Sequence, residues 1–544
     1  MKLRIAPLSL IGLSLFYLSL SGCSYFIDKL DQSYQVVDTK GKDVGLFFSH
    51  NVNGETHPCG CRHFPLGGLP QVAGAFEKFK SKEQVIYIDS GDTLFSSPII
   101  PKNLEKSLTH NAEKLASGLA KVGLKFWVPG DQDFALGTDF INKTAEKNKI
   151  SLILSNLKDK KTFKHKELVL IQNGPHKLFL IGLILPSILP EEYASLFEPP
   201  EVAFQNILVK LKEKGYDEKN PFHRLITISH SGIDADKKLA KKYSNIDWII
   251  GAHTMNFLRF PQEQGKTKIV QVLSRNHYLG HITFSSKKDK SGDKYEIIEV
   301  RDELKDELKP NPYLAWIDKH KEEMSVLQKQ EQGFGFNEDS ELEKYATHNS
   351  CVDCHDAQNT FWQKTSHSLA YQTLVISKEE NNLACVKCHS LGLKEKRGFD
   401  KISEMVKFNS EVVANEEMKK KYWKELQESF GPIKSVRKLS PDDRKKYASL
   451  WSEHDSKFKV EKNFANVQCL NCHTQHHNHP FDKLSPEPTR AQKKQRMQDR
   501  CIECHNSDQS PEWYLKQSNG LPGSLNKEVL EKMTQKVACP KLAE

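Results

Sequence analysis

The sequence predicts two fold classes in series, an α/β layered domain followed by a mainly α-helical one. Two observations carry this. From Val44 to about Arg301, short apolar runs alternate with amphipathic helical stretches, the pattern of a layered α/β architecture. Beyond Leu342 apolar runs become scarce, and Cys-x-x-Cys-His recurs four times, at Cys351–His355, Cys385–His389, Cys469–His473 and Cys501–His505. A chain of 544 residues is also too long for one core.

The elements follow in order. Lys2 and Arg4 form a basic start, Ile5–Leu20 is mostly apolar, and Leu20-Ser21-Gly22-Cys23 follows. The apolar run is short for a membrane span, so residues 1–22 read as a cleaved signal. The Leu-Ser-Gly-Cys ending resembles the bacterial lipobox, which implies lipidation of Cys23 and anchoring at a bilayer surface. Residues 23–42 read as a polar tether and 43–305 as the α/β domain. Its expected strands include Val85–Asp89, Ser151–Leu154, Leu178–Leu183, Leu225–Ser229, Trp248–Ile250, Ile269–Leu273 and Tyr295–Val300, with helices over Leu104–Val122 and Val202–Lys214. Residues 306–340 are charge-rich and read as a helical linker. Residues 341–544 form the second domain, in which Lys394–Asn463 is basic and helical and lacks a Cys-x-x-Cys-His motif.

Each motif offers two thiols for thioether bonds to a porphyrin and a His as proximal iron ligand, the chemistry of covalent c-type haem. Zinc sites rarely place His directly after every second Cys. Four haem c groups are therefore expected, held by Cys351, Cys354, His355, Cys385, Cys388, His389, Cys469, Cys472, His473, Cys501, Cys504 and His505. The macrocycles are expected to replace much of the domain's apolar core. Among the 12 cysteines, Cys59, Cys61 and Cys539 remain. A bond between Cys539 and Cys59 or Cys61 is one pairing, and a thiol pair or metal half-site at Cys59 and Cys61 another. The formal charge of +9 does not indicate nucleic-acid binding: the leader removes Lys2 and Arg4, and haem propionates oppose the lysines. Redox proteins and a membrane surface are the expected partners.

The second domain resembles the tetrahaem cytochromes of ammonia oxidation, the cytochrome c-554 family. The likeness rests on Tyr345 ahead of Cys351, on Trp362 with Thr365-Ser366-His367, and on Ser390-Leu391-Gly392 after the second motif. Asn466-Val467-Gln468 before the third motif and Ser510-Pro511 after the fourth complete it. The third motif departs, with Leu470 where Glu is usual and Thr474-Gln475-His476 in place of Gly-Pro-Gly. The resemblance implies a distal haem ligand at His367. His348, His454, His476, His477 and His479 are further candidates, enough for four bis-His haems, which suit electron transfer. An open iron would instead admit a ligand, and with it reduction of a small nitrogen or sulfur compound.

The first domain resembles the calcineurin-like metallophosphoesterases of the 5′-nucleotidase branch. The residues are Ser49-His50-Asn51-Val52-Asn53-Gly54, Gly67-Gly68-Leu69, Gly91-Asp92, Gly130-Asp131-Gln132-Asp133-Phe134, His230 and Gly251-Ala252-His253-Thr254. The resemblance implies a four-layer sandwich and two metals bridged by one carboxylate. Asn51 and Asn53 stand where the first metal's Asp and His are expected, and Met255 replaces a later His. Asp92, Asp131, His230 and His253 could still hold one Zn, Mn or Fe ion. Gln132 replaces the His that helps protonate the leaving group. The readings are a binding or docking module without catalysis, a one-metal phosphohydrolase, and a redox-coupled activity. The whole chain reads as an electron-carrying lipoprotein of a bacterial cell envelope, at the periplasmic face of the outer membrane or the cell surface.

Overall fold

The computed structural model describes residues 33–39, 41–58, 65–331, 346–352, 354–395, 398–409, 415–473, 489–517 and 522–540. Cys23, Cys59, Cys61, His476, His477 and His479 lie outside them. The chain divides into two compact units, the first holding residues 1–58, 66–100 and 111–314 and the second 59–65, 101–110 and 315–544. No helix among the described residues is long and apolar enough to cross a membrane.

The first unit contains two seven-stranded sheets. The strands are β1 Tyr34–Asp38, β2 Asp43–Ser49, β3 Glu83–Asp89, β4 Leu124–Trp127, β5 Ser151–Ile153, β6 His165–Lys166, β7 Leu168–Asn173, β8 His176–Ile184, β9 His223–His230, β10 Trp248–Gly251, β11 Gln262–Gln264, β12 Thr267–Val270, β13 Tyr278–Phe284 and β14 Lys294–Glu299. One sheet runs β1-β7-β8-β9-β10-β12-β11 and the other β14-β13-β2-β3-β4-β5-β6. The expected strands all form, though several of their ends shift by a few residues. The tether reading needs correction: Tyr34–Asp38 pairs in parallel with Leu168–Gln172, so it belongs to the sheet.

Central strands are apolar along their length because both faces are covered. Leu46, Phe47 and Phe48 of β2 are all fully buried. On the other sheet, Phe179, Ile181 and Leu183 pack with Leu225, Ile249 and Ile269 against Phe204, Ile207 and Leu211 of the helix Pro200–Glu213. The two sheets meet closely at Gly182, where a Cβ would lie 2.0 Å from the Ile153 carbonyl oxygen; only glycine fits there.

The second unit is helical, with a protein core of its own. Between the second and third motifs, Glu416–Phe430 and Pro441–Lys457 form a helical pair. Ser440 caps the second helix by accepting from Asp443 N–H, with Pro441 in its first turn. Tyr422, Leu426, Phe430, Trp451 and Phe458 cluster with Leu369, Leu374, Val386 and Phe464. Beside the expected haem sites, this unit therefore has an apolar cluster of its own. The stretch Lys394–Asn463 is a packed scaffold.

At its centre the buried Asp455 accepts from Tyr422 Oη at 2.5 Å and from Asn463 Nδ2 at 2.9 Å. Burial pushes the Asp455 carboxyl up to about 6, against the hydrogen bonds. An acid with a raised folded-state pKa contributes stability that is complete below its unfolded value and lost as pH rises to the folded one. This scaffold is expected to lose stability between about pH 4 and about 6, and Asp455→Asn to flatten that slope in urea titrations across the same range.

Candidate functional site

Register places the first site. Ser49 pairs with Asp89 across β2 and β3, and Asp89 with Trp127 across β3 and β4. The loops carrying His50–Asn53, Ser90–Asp92 and Val128–Asp131 therefore leave one sheet at the same level. In the other sheet, Ile184 pairs with His230 and Ser229 with Gly251, so His230 and His253 leave at matching ends. These are carboxyl ends of parallel strands, where open α/β sheets gather ligands.

There Asp92, Asp131, His230 and His253 each bring one ligand atom within 4.8 Å of the others. His230 Nε2 is 3.1 Å from Asp131 Oδ1 and 3.4 Å from Asp92 Oδ1. His253 Nδ1 is 2.8 Å from Asp131 Oδ1. His230 Nδ1 donates to the Ser90 carbonyl at 2.7 Å, which turns Nε2 toward the carboxylates. Burial acts to lower the His230 pKa, but Asp92 and then Asp131 outweigh it and hold it well above the ordinary range. Burial likewise opposes ionisation of Asp131, yet hydrogen bonds from His230 and His253 keep its carboxyl well below the usual range. Asp92 and His253 both have left-handed backbone, at φ 57° and 68°, strain of the kind that collects at ligand sites. Gly130 is required, since a Cβ there would sit 2.3 Å from His230 Cε1. Two imidazoles and two carboxylates fit one Zn, Mn or Fe ion.

The neighbouring position is closed by hydrogen bonds. Val272 N–H donates to His50 Nε2 at 2.8 Å, so the His50 proton sits on Nδ1 and reaches Asn51 Oδ1 at 2.8 Å. Asn51 Nδ2 must then point the other way, and it donates to Asp92 Oδ2 at 2.8 Å. Burial pushes His50 down to about 4, so it stays neutral in this relay. The carboxylate oxygen that a second metal would need is occupied by an amide. Met255 is 49% exposed, and Gln132 meets Asp92 through its backbone N–H at 3.0 Å. Sequence reasoning named Asn51 as a loss but gave His50 no role; that role shows only when Val272 is placed beside it. The role of Asp133 was missed too: it accepts from Thr93, Leu94 and Gly130 N–H and binds two site loops together.

In the second unit the motifs adopt a common turn. His355, His473 and His505 each donate their amide to the first Cys carbonyl of their motif, at 3.0, 2.8 and 2.8 Å. Cys385–His389 lies within the helix Leu383–His389. Helical spacing puts the first thiol, the second thiol and the imidazole on one side. All eight motif thiols are at least partly exposed. His389 Nδ1 donates to the Ala370 carbonyl at 2.6 Å and His505 Nδ1 meets Ser510 Oγ at 2.9 Å. Tethering Nδ1 leaves Nε2 for iron, so the donor set fits haem c.

The motifs interleave. The neighbouring Cys469 draws the Cys351 thiol down and the neighbouring Cys504 draws the Cys388 thiol down, with burial opposing both. The first motif thus adjoins the third, and the second the fourth. Asn466–Gln468 ties them: Asn466 N–H donates to the His389 carbonyl, Val467 N–H to the His367 carbonyl, and Gln468 Oε1 accepts from His348 N–H at 2.7 Å. Trp362 Nε1 reaches the Val467 carbonyl at 2.8 Å.

The distal candidates separate. His367 lies 6.4 Å from the His505 ring, with its pKa lowered by burial and then by His389. His348 is buried against Trp362, its Nδ1 without a hydrogen bond and its pKa pushed by burial down to about 4, a neutral imidazole able to ligate. His454 is placed otherwise: its Nε2 bonds the Tyr422 carbonyl at 2.9 Å and its ring packs on Tyr422 and Phe458 in the scaffold. It is a core histidine there. Cys539 is free and exposed.

Residues 350–415 match the family Cytochrome c554 and c-prime. That segment is cytochrome c554-like. No curated protein sequence matches the chain. Among solved structures, a 5′-nucleotidase precursor from Thermus thermophilus is similar at 16% identity and TM-score 0.42, covering 52% of this chain and 59% of its own. A putative 5′-nucleotidase from Staphylococcus aureus in complex with alpha-ketoglutarate gives 16% and 0.43, covering 60% and 67%. A calcineurin-like phosphoesterase from Bacillus subtilis gives 16% and 0.40, covering 53% and 99%. The chain spans about 59% of the length of the first of these. The protein joins an α/β unit of two seven-stranded sheets to a helical unit in which residues 350–415 match the Cytochrome c554 and c-prime family.

Proposed function

We propose that the protein is an envelope lipoprotein that relays electrons through four covalent haem c groups, with the α/β unit as a docking or ligand-binding body. The closeness of the motifs supports this reading: Cys351 neighbours Cys469 and Cys388 neighbours Cys504, and Asn471 of the third motif donates to the Ser390 carbonyl beside the second at 3.1 Å. Groups held on such neighbouring turns would be close enough to exchange electrons. Haem supplies one-electron chemistry when bound, and the chain's residues set ligation and spacing. Lipidation at Cys23 would hold the relay at the outer-membrane surface, and redox proteins would be its partners. The α/β unit would hold one divalent metal without hydrolysis, because Asn51 occupies the second carboxylate oxygen of Asp92.

A reductive titration of the full-length holoprotein under carbon monoxide tests this. Uptake of four electrons per chain, with low-spin spectra in both states and no carbon monoxide adduct, is expected. Fewer than four electrons, or an adduct in the reduced state, would refute the relay of four bis-ligated haems and favour ligand chemistry at an open iron.

A further inference from the structure

A second cluster of metal-ligating side chains, sharing no residue with either site, lies within the second unit. His320 and Glu323 stand one helical turn apart on the helix Pro312–Glu331, a spacing that brings side chains to one face. His110 comes from the separate segment 101–110 of the same unit. One ligand atom from each residue lies within 4.8 Å of the other two. His110 Nε2 is 3.1 Å from Glu323 Oε2, and the two imidazole rings lie 5.8 Å apart at 22°.

The surroundings hold this arrangement in place. His320 is 2% exposed, with Trp316 against its ring at 5.5 Å. Ser107 N–H donates to Glu331 Oε1 at 2.8 Å, a second tie between the same two segments. Two ligands bound tetrahedrally at zinc distances sit about 3.3 Å apart, close to the observed separation of His110 and Glu323. Calcium and magnesium prefer oxygen cages, whereas two imidazoles and one carboxylate suit borderline ions.

We propose that His110, His320 and Glu323 bind one divalent first-row transition ion of the zinc class, with water completing its coordination. The ion clasps the segment 101–110 to the helix Pro312–Glu331. This clasp is independent of electron relay and of the phosphoesterase-like site.

Zinc binding to the full-length holoprotein, measured by competition with a chromogenic chelator, tests it. The His320→Ala and Glu323→Gln variants are each expected to lose one zinc equivalent or at least about 10-fold in affinity, while Asp131→Asn retains that equivalent. Zinc is also expected to raise the Tm of the unaltered protein more than that of Glu323→Gln, which keeps side-chain size and so separates ligation from folding. Equal stoichiometry and affinity in all four proteins would overturn the site, as would the absence of zinc uptake by the unaltered protein.

Discussion

The triple variant Asn51→Asp, Asn53→His, Gln132→His should hydrolyse bis(p-nitrophenyl) phosphate with added manganese at least about 100-fold faster than the unaltered chain. The unaltered chain should give no rate above its Asp92→Asn counterpart. The cause is direction in a hydrogen-bond relay. Val272 fixes the His50 tautomer, His50 fixes the Asn51 amide, and the amide covers Asp92 Oδ2. A carboxylate at position 51 still accepts from His50 but cannot donate to Asp92. Two carboxylates then face each other, and a cation between them becomes the favourable arrangement. Both Asn51 and Asn53 have left-handed backbone, at φ 49° and 55°, which Asp and His also tolerate. A His at 132 supplies the proton that an amide cannot, an effect of about 10² to 10⁴ on its own. Initial rates with and without manganese check the outcome. A triple variant no faster than Asp92→Asn would show that releasing Asp92 Oδ2 from the amide does not make the site hydrolytic.

Arg224→Met is the substitution with the largest expected cost to folding. Arg224 on β9 is 0% exposed and its Nη2 is 2.8 Å from Oδ1 of Asp293, itself 2% exposed. The Arg224 side chain also reaches the Phe222 carbonyl and His176 Nδ1, each at 3.1 Å. Burial holds the Asp293 carboxyl above its ordinary pKa even with the guanidinium beside it. Without Arg224, the long contact from Trp248 Nε1 to Asp293 Oδ2 is left at 3.4 Å. Breaking a buried pair from one side costs about 3–5 kcal/mol, roughly 10 °C in Tm for a domain of this size. The double variant Arg224→Met, Asp293→Leu should recover most of that, because the pair's desolvation vanishes with its charges. Calorimetry of both variants checks the pair, and a single variant that melts with the unaltered protein would show water reaching Asp293.

The α/β class was legible because central strands such as Leu178–Leu183 and Leu225–Ser229 are largely apolar, which marks strands covered on both faces. Tyr34–Asp38 was not, since its alternating polar residues follow from an edge position that only the partner Leu168–Asn173 reveals. Within the first site, Asp92, Asp131, His230 and His253 could be chosen because the segments around them resemble those of a known family and lie near the ends of expected strands. The roles of His50 and Asp133 could not be read, because their work is to orient other groups across distances the sequence does not encode. In the second unit the Cys-x-x-Cys-His spacing stated the attachment chemistry outright. The scaffold of Tyr422, Trp451 and Asp455 stayed hidden because its apolar residues are scattered along basic, amphipathic helices.

The interleaving of the motifs bears on how such a protein is made. Cys351 can meet Cys469, and Cys388 can meet Cys504, only after the intervening scaffold has been synthesised. Contacts so remote in the chain close late, because the loops between them must be ordered first. Haem attachment at the first two motifs would therefore precede the packing that shelters those haems. A chain halted before Cys469 would expose two finished haems with no neighbours to cover them. With haem bound as proposed, truncation near the carboxyl end should harm the earliest-attached haems as much as the last.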